Sequence, residues 1–138
     1  MTTGEDRDTI QRFTERYRVS PTEVTRLIEH AVIGADWGAN GYTTLAQANR
    51  VGAHLDLGPD SVLLDVGAGR GWPGLYLASV TGCRVVLADV PMEALQSAQM
   101  RAADEGLSGQ AAPVRCSARN LPFAPSSFDA IVHTDVLC

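Results

Sequence analysis

The 138-residue chain is predicted to be an α/β domain built on a parallel sheet. Three observations predict this. Short runs of β-branched and apolar residues recur from residue 61 onward, and helical patterns of roughly 10–15 residues separate them. Glycine and proline mark the joins between the two kinds of segment. Strands that alternate with helices in this way return to one sheet by right-handed crossovers. Residues 1–57 carry helical signals only, so they are expected to form an N-terminal helical cap, with the sheet in residues 58–138.

In the first segment Ile10, Phe13 and Tyr17 recur at helical spacing. Ser20-Pro21-Thr22-Glu23 reads as a capping box with proline at the first helical position. The helix it opens has an apolar stripe of Val24, Leu27, Ile28 and Ala31, and Gly34 stops it. The glycine-rich stretch from Gly34 to Gly41 is a loop. Thr44 and Gln47 repeat the capping logic, and Leu45, Ala48, Val51, Gly52 and Leu55 then form a face suited to lie against a sheet, ended by Gly58-Pro59-Asp60.

Val62 to Val66 is the first strand by its unbroken apolar run. Pro73 marks a helix start, and that helix runs through Leu75 and Val80 to Gly82. Arg84 to Ala88 is the second strand. Pro91 opens a helix through Met92, Leu95, Ala98 and Met100, closed by Gly106. Ala112 to Cys116 is a weaker third strand, and Phe128 to His133 a stronger fourth.

Composition excludes several classes. At 45% hydrophobic and 20% charged residues the chain matches ordinary folded domains and not disordered ones. No apolar run approaches the ~18 residues of a membrane span. Met1 to Arg12 is polar, without the apolar core of an export signal. The net charge is −5, every Lys+Arg position is arginine, and no basic cluster exists, which demotes nucleic acid as a partner. Cys83, Cys116 and Cys138 match no zinc spacing and suggest no disulfide framework, so no metal is expected and a reducing cytoplasm is the simplest setting. Cys138 is read as inert.

The chemistry is concentrated in Asp65-Val66-Gly67-Ala68-Gly69-Arg70-Gly71-Trp72-Pro73-Gly74. Glycines at alternate positions between a strand and a helix let a ligand approach the backbone, near the free N–H groups of the helix start. Gly69, Gly71 and Gly74 also satisfy the dinucleotide pattern G-x-G-x-x-G. Asp65, just ahead of the loop, would repel a pyrophosphate and suits a ligand with positive charge, such as the amino group and sulfonium of S-adenosylmethionine. Asp89 closes the next strand, where a carboxylate can accept both hydroxyls of a ribose; that acid alone fits NAD or S-adenosylmethionine, so Asp65 decides the choice. The plainer alternatives are that Asp65 caps the following turn and that Asp89 is a helix N-cap.

Leu64-Asp65-Val66-Gly67-Ala68-Gly69-Arg70-Gly71 resembles the first motif of the class I S-adenosylmethionine-dependent methyltransferases, of the type 11 small-molecule group. Ala88-Asp89-Val90 is similar to their acidic second motif. Leu121-Pro122-Phe123 through Ser127-Phe128-Asp129-Ala130-Ile131-Val132 resembles the approach to their fourth strand, and the likeness covers residues 40 to 138. It implies a Rossmann-like fold with S-adenosylmethionine across the carboxyl ends of strands 1 and 2. Gly67, Ala68, Gly69 and Gly71 would wrap the methionine part, Asp89 would hold the ribose, and Val90 with Met92 would pack on adenine. Ser117 stands where the family often has an acid facing the adenine amino group, which leaves the backbone of Ala118 and Arg119 to contribute.

The same resemblance makes Gly41-Tyr42-Thr43-Thr44 a lid, with Tyr42 excluding water and Thr43 or Thr44 contacting the methionine carboxylate. The alternative is Tyr42 as a packing residue and Thr44 as a simple cap. Thr134 and Asp135 end the fourth strand on the cofactor side. His133 is a candidate general base, against a structural histidine, and Asp135 a candidate contact for the amino group or the acceptor. No nucleophile is needed for an in-line displacement on a sulfonium, where alignment and exclusion of water can supply most of the rate.

The family sheet has seven strands ordered 3-2-1-4-5-7-6, and this chain ends right after the fourth. The expectation is therefore an incomplete sheet ordered 3-2-1-4, either a fragment or a unit completed by association, with strand 4 an edge open to a second copy. The function expected is methyl transfer from S-adenosylmethionine to a small-molecule acceptor, with the activity of this length alone left open. The alternatives are a non-catalytic S-adenosylmethionine-binding or partner module and an NAD-dependent oxidoreductase.

Overall fold

An apolar run with no polar alternation needs cover on both sides, and the computed structural model, which describes residues 4–136, buries Leu63, Leu64 and Asp65 together in the first strand. The elements are α1 (Gly4–Arg18), α2 (Glu23–Ile33), α3 (Leu45–Leu55), β1 (Val62–Val66), α4 (Gly74–Thr81), β2 (Arg84–Asp89), α5 (Met92–Asp104), β3 (Ala111–Arg115) and β4 (Ala130–His133). The strands form one parallel sheet in the order β3-β2-β1-β4. The expected third and fourth strands are present but shifted or shorter by one or two residues. Cys138 lies outside the described residues.

One sheet face carries the main core. Leu63 of β1, Val85 and Leu87 of β2 and Val132 of β4 meet Leu75, Leu77 and Ala78 of α4 and Leu95, Ala98 and Ala102 of α5. Each fully buried leucine there contributes about 1.5–3 kcal/mol. A second cluster, Ile33, Ala35, Ala48 and Trp72, ties the chain before β1 to the start of α4.

Helix ends follow local chemistry. Thr44 accepts from the Gln47 N–H at 3.2 Å while Gln47 Oε1 accepts from the Thr44 N–H at 2.8 Å, the reciprocal box expected of α3. That helix meets α4, with Val51 and Leu55 packed against the main core, and at Gly52, where a Cβ would lie 2.9 Å from Leu77 Cδ2, the missing side chain lets the two helices approach. α2 is displaced from its expected cap. It begins at Glu23, with Thr22 as the N-cap accepting from the Thr25 N–H at 3.2 Å, because the short Thr22 side chain reaches that amide and Ser20 lies outside the turn.

The stripe expected to bury α2 does not do so among the described residues. Val24, Leu27, Ile28 and Ala31 are exposed, as is Val32, and Ile33 alone of the helix is buried. The helix is instead fastened from another side, through Glu29 Oε1, which accepts from the N–H groups of Trp37 (2.9 Å) and Ala39 (2.8 Å). Among the described residues no helix is long and apolar enough to cross a membrane.

Candidate functional site

The parallel register sets Val66 beside Ala88 and His133, so the residues that follow the three strand ends arrive at one level. A cavity of about 490 Å³ opens there, within the ~300–1,000 Å³ typical of small-molecule sites. Its floor is Gly67, Ala68 and Gly69 after β1, Asp89, Val90 and Pro91 after β2, and Thr134, Asp135 and Val136 after β4. Thr9, Ile10, Arg12, Phe13 and Tyr17 of α1 roof it, and Gly38, Asn40 and Gly41 close one side together with Arg70 and Trp72.

The glycine loop is docked on the end of β2. The N–H groups of Gly67 and Ala68 both donate to Ala88 O, at 2.7 and 3.1 Å. Gly69 has φ +55°, and a Cβ on it would come within 2.7 Å of the Tyr17 hydroxyl. Its N–H donates to Asp89 Oδ2 at 2.7 Å, and Asp89 Oδ1 accepts from the Val90 N–H at the same distance. Burial raises the Asp89 pKa from its ordinary value, opposed by these two N–H donors, so one carboxylate braces the loop and faces the cavity.

Asp65 is placed otherwise. The expectation that it faces a cationic ligand is overturned, because its side chain turns under the loop into the core. Oδ2 accepts from the Gly74 N–H at 2.8 Å at the start of α4, and Oδ1 has no hydrogen-bond partner. The plainer reading, a cap on the following turn, describes it. Burial pushes its carboxyl up to about 8, with the Gly74 N–H pulling the other way and Asp89 adding to the rise.

Unfolded, the carboxyl ionises near its ordinary 3.8; folded, it keeps its proton to about 8. The native state therefore holds the extra proton in between, and stability falls as pH rises from about 4 to 8, by up to about 1.4 kcal/mol per pH unit. Asp65→Asn keeps an acceptor for Gly74 without a titrating group, so it should remove this slope. Denaturant unfolding between pH 5 and 8 reads the difference, and parallel curves for the two proteins would contradict it.

Asp135, expected to meet the amino group or the acceptor, lines the cavity but also fastens a distant loop. At φ +57° it turns Oδ2 to accept from the Tyr42 N–H (3.0 Å), the Thr43 N–H (3.3 Å) and the Thr43 hydroxyl (3.1 Å). The loop is held again where Trp72 Nε1 donates to Thr43 O at 3.0 Å. The Thr43 hydroxyl is thus engaged by Asp135, Thr44 serves as the α3 cap, and Tyr42 points to solvent at 85% exposure, so these side chains do not cover the cavity.

Other expected contacts also stand away from it. His133 is exposed on β4 and absent from the cavity wall, because strand alternation directs it to the face opposite Val132. Gly71 packs inward against Leu75, Met92 opens α5 with its side chain exposed, and Ser117, Ala118 and Arg119 are exposed beyond the wall. Residues of α1 line the cavity, and that loop does not. Arg119 reaches back to Asp6 at 2.9 Å, and Arg18 pairs with Glu93 at 3.0 Å, exposed ion pairs that solvent screens.

The α1 contribution was absent from the expected site. Its signal was the spacing of Ile10, Phe13 and Tyr17, lone apolar residues on a very polar helix, which have to face something. Among the described residues no group of His, Cys, Asp or Glu gathers in a way that could hold a metal.

The sequence pattern of the methyltransferase domain family matches residues 63–138. Among curated proteins, the methyltransferase GfsG of Streptomyces halstedii is 39% identical over 77 residues, 56% of this chain and 28% of that one. Botryococcene C-methyltransferase of Botryococcus braunii is 30% identical over 109 residues, 79% of this chain and 28% of its own. The chain thus spans little more than a quarter of these relatives. Among solved structures, the S-adenosylmethionine-dependent methyltransferase of Thiobacillus denitrificans, in complex with S-adenosylhomocysteine, superimposes with a TM-score of 0.63 at 20% identity, covering 85% of this chain and 45% of the other. Geranyl diphosphate C-methyltransferase of Streptomyces coelicolor, with Mg²⁺, geranyl diphosphate and S-adenosylhomocysteine, gives 0.60 at 26% identity over 64% of this chain and 33% of its own.

Proposed function

The chain belongs to the methyltransferase domain family, and from that premise we propose that its cavity binds S-adenosylmethionine for methyl transfer to a small-molecule acceptor. The observation that carries the reading is the Asp89 carboxylate. It occupies the Gly69 N–H at 2.7 Å, the amide a pyrophosphate would need, and places its negative charge on the cavity wall. Ribose hydroxyls find an acceptor there, a contact that S-adenosylmethionine and NAD would both make, and the family membership favours the former. Asp65 does not reach the cavity.

The wall fits the rest of such a ligand. Ile10, Phe13, Val90 and Pro91 offer an apolar slot for a base, and Gly67 and Gly69 line the wall beside it. When bound, the cofactor supplies an activated methyl group on a sulfonium. The residues of this chain bind it, orient it and, through α1, exclude water. His133 has no part in this reading, since it stands outside the cavity. The small-molecule acceptor is supported by the relatives, whose names refer to botryococcene, squalene and sterol methylation.

Calorimetric titration with S-adenosylhomocysteine, NAD and ATP tests the reading. S-adenosylhomocysteine should bind with a clear preference. Tighter binding of NAD would refute it.

A further inference from the structure

Helix α2 is apolar on two opposite sides. Ile33 packs with Ala35, Ala48 and Trp72, whereas Val24, Leu27, Ile28 and Val32 stand 57–65% exposed, with Ala31 exposed among them. At about 100° per residue these five side chains form one stripe on the side away from Ile33. A helix apolar on both sides calls for cover on both. The outer side receives none from the described residues. The inner side is fastened without it, since Glu29 Oε1 holds the Trp37 and Ala39 N–H groups, and the stripe is presented to solvent.

The polar residues beside the stripe select the partner. Glu23 in the first turn and His30 in the last turn lie along one edge of it, and both are exposed. A second copy laid antiparallel over the stripe brings its His30, a ring that can donate to a carboxylate, toward Glu23, and its Glu23 toward His30. The two helix dipoles then oppose each other favourably. A parallel arrangement would set Glu23 against Glu23. With the two-fold axis near Ile28, Val24 of one copy meets Val32 of the other and Ile28 meets its own equivalent, so the apolar contact is continuous. An anionic membrane suits the face less well, because the helix has two acids, Glu23 and Glu29, against one arginine, Arg26, and the chain carries −5. β4, the edge expected from sequence to receive a second copy, exposes Ile131 alone of its large apolar residues, against four on α2.

We propose that α2 is a self-association surface: two copies of this chain pair antiparallel through Val24, Leu27, Ile28, Ala31 and Val32, with Glu23 and His30 meeting across the edge. The cavity walls include no residue of α2, so the pairing stands apart from the S-adenosylmethionine reading and neither depends on the other. One helix face buries less than a standard interface. The dimer is therefore weak and concentration-dependent, with a dissociation constant on the order of 10 µM.

Sedimentation velocity on the full chain from about 1 to 100 µM tests it, and the sedimentation coefficient should climb from monomer to dimer across that range. Leu27→Glu enters the interface twice, once from each copy, so it should weaken the dimer about 100-fold or more and leave a monomer. Ile131→Glu should leave the dimer unchanged. Leu27 and Ile131 are both exposed, so both variants should keep the fold, which circular dichroism checks. Glu23→Lys alone should weaken pairing about threefold, and adding His30→Glu should restore it. A monomer at every concentration overturns the proposal and leaves the face to a different protein. A dimer lost with Ile131→Glu and kept with Leu27→Glu overturns it in favour of the β4 edge. Failure of the charge exchange to restore pairing overturns the antiparallel arrangement.

Discussion

Asp89→Ala is expected to weaken S-adenosylhomocysteine binding about 100-fold or more. Two ribose hydroxyls donating to one carboxylate form charge-assisted bonds of about 1.5–3 kcal/mol each, and every 1.4 kcal/mol is a tenfold change in affinity. The alanine also releases the N–H groups of Gly69 and Val90, which the carboxylate now holds at 2.7 Å, so the loop loses its brace as the ligand loses its partner. Folding should tolerate the change, because it removes a carboxylate that burial disfavours. Calorimetry measures the affinity and circular dichroism the fold. A dissociation constant within about threefold of the unaltered protein, in a folded variant, would remove Asp89 from the site.

Gly71→Ala should lower stability by about 2–6 kcal/mol. The residue has φ +101°, where an L side chain is strained at a cost of about 1–3 kcal/mol, and a Cβ there collides with the Leu75 side chain. Leu75 is fully buried in the main core, so it has little room to yield, and overpacking adds about 1–3 kcal/mol. Gly109→Ala is the control: nothing lies within 4 Å of its Cβ position, and the change should stay within about 0.5 kcal/mol. Urea unfolding of both variants decides. Equal midpoints would show that the turn relaxes freely, and that Gly71 is kept for the ligand after all.

Much of the sheet could be read in advance because its signals are local. The apolar runs at Val62–Val66 and Arg84–Asp89 mark strands wherever they are placed, and the helices between them leave a parallel sheet as the arrangement that closes. The glycine loop and Asp89 follow from the same local order, since residues just past parallel strands stand at one end of the sheet.

What could not be read was direction. β1 is buried on both faces, so its sequence has no alternation to show which way Asp65 points. Register decides it: Asp65 shares a row with Leu87 and Val132, both buried in the main core, whereas His133 falls in the row of Val66 and Ala88. The roles of α1 and Tyr42 were hidden for a different reason. They depend on contacts between residues far apart in the chain, such as Asp6 with Arg119, which no local pattern encodes. Periodicity in α2 marked an apolar face but not whether anything covers it.

The bond from Asp135 to the backbone of Tyr42 spans 93 positions. Helix α3, just beyond that loop, can nucleate early on its own reciprocal cap. The loop itself must wait, on a growing chain, until residue 135 has left the ribosome and β4 has docked. Competence to bind a ligand should thus appear only after β4 has joined the sheet, with amide protection at Tyr42 and Thr43 arriving after that of β1 and β2 in a pulse-labelling experiment.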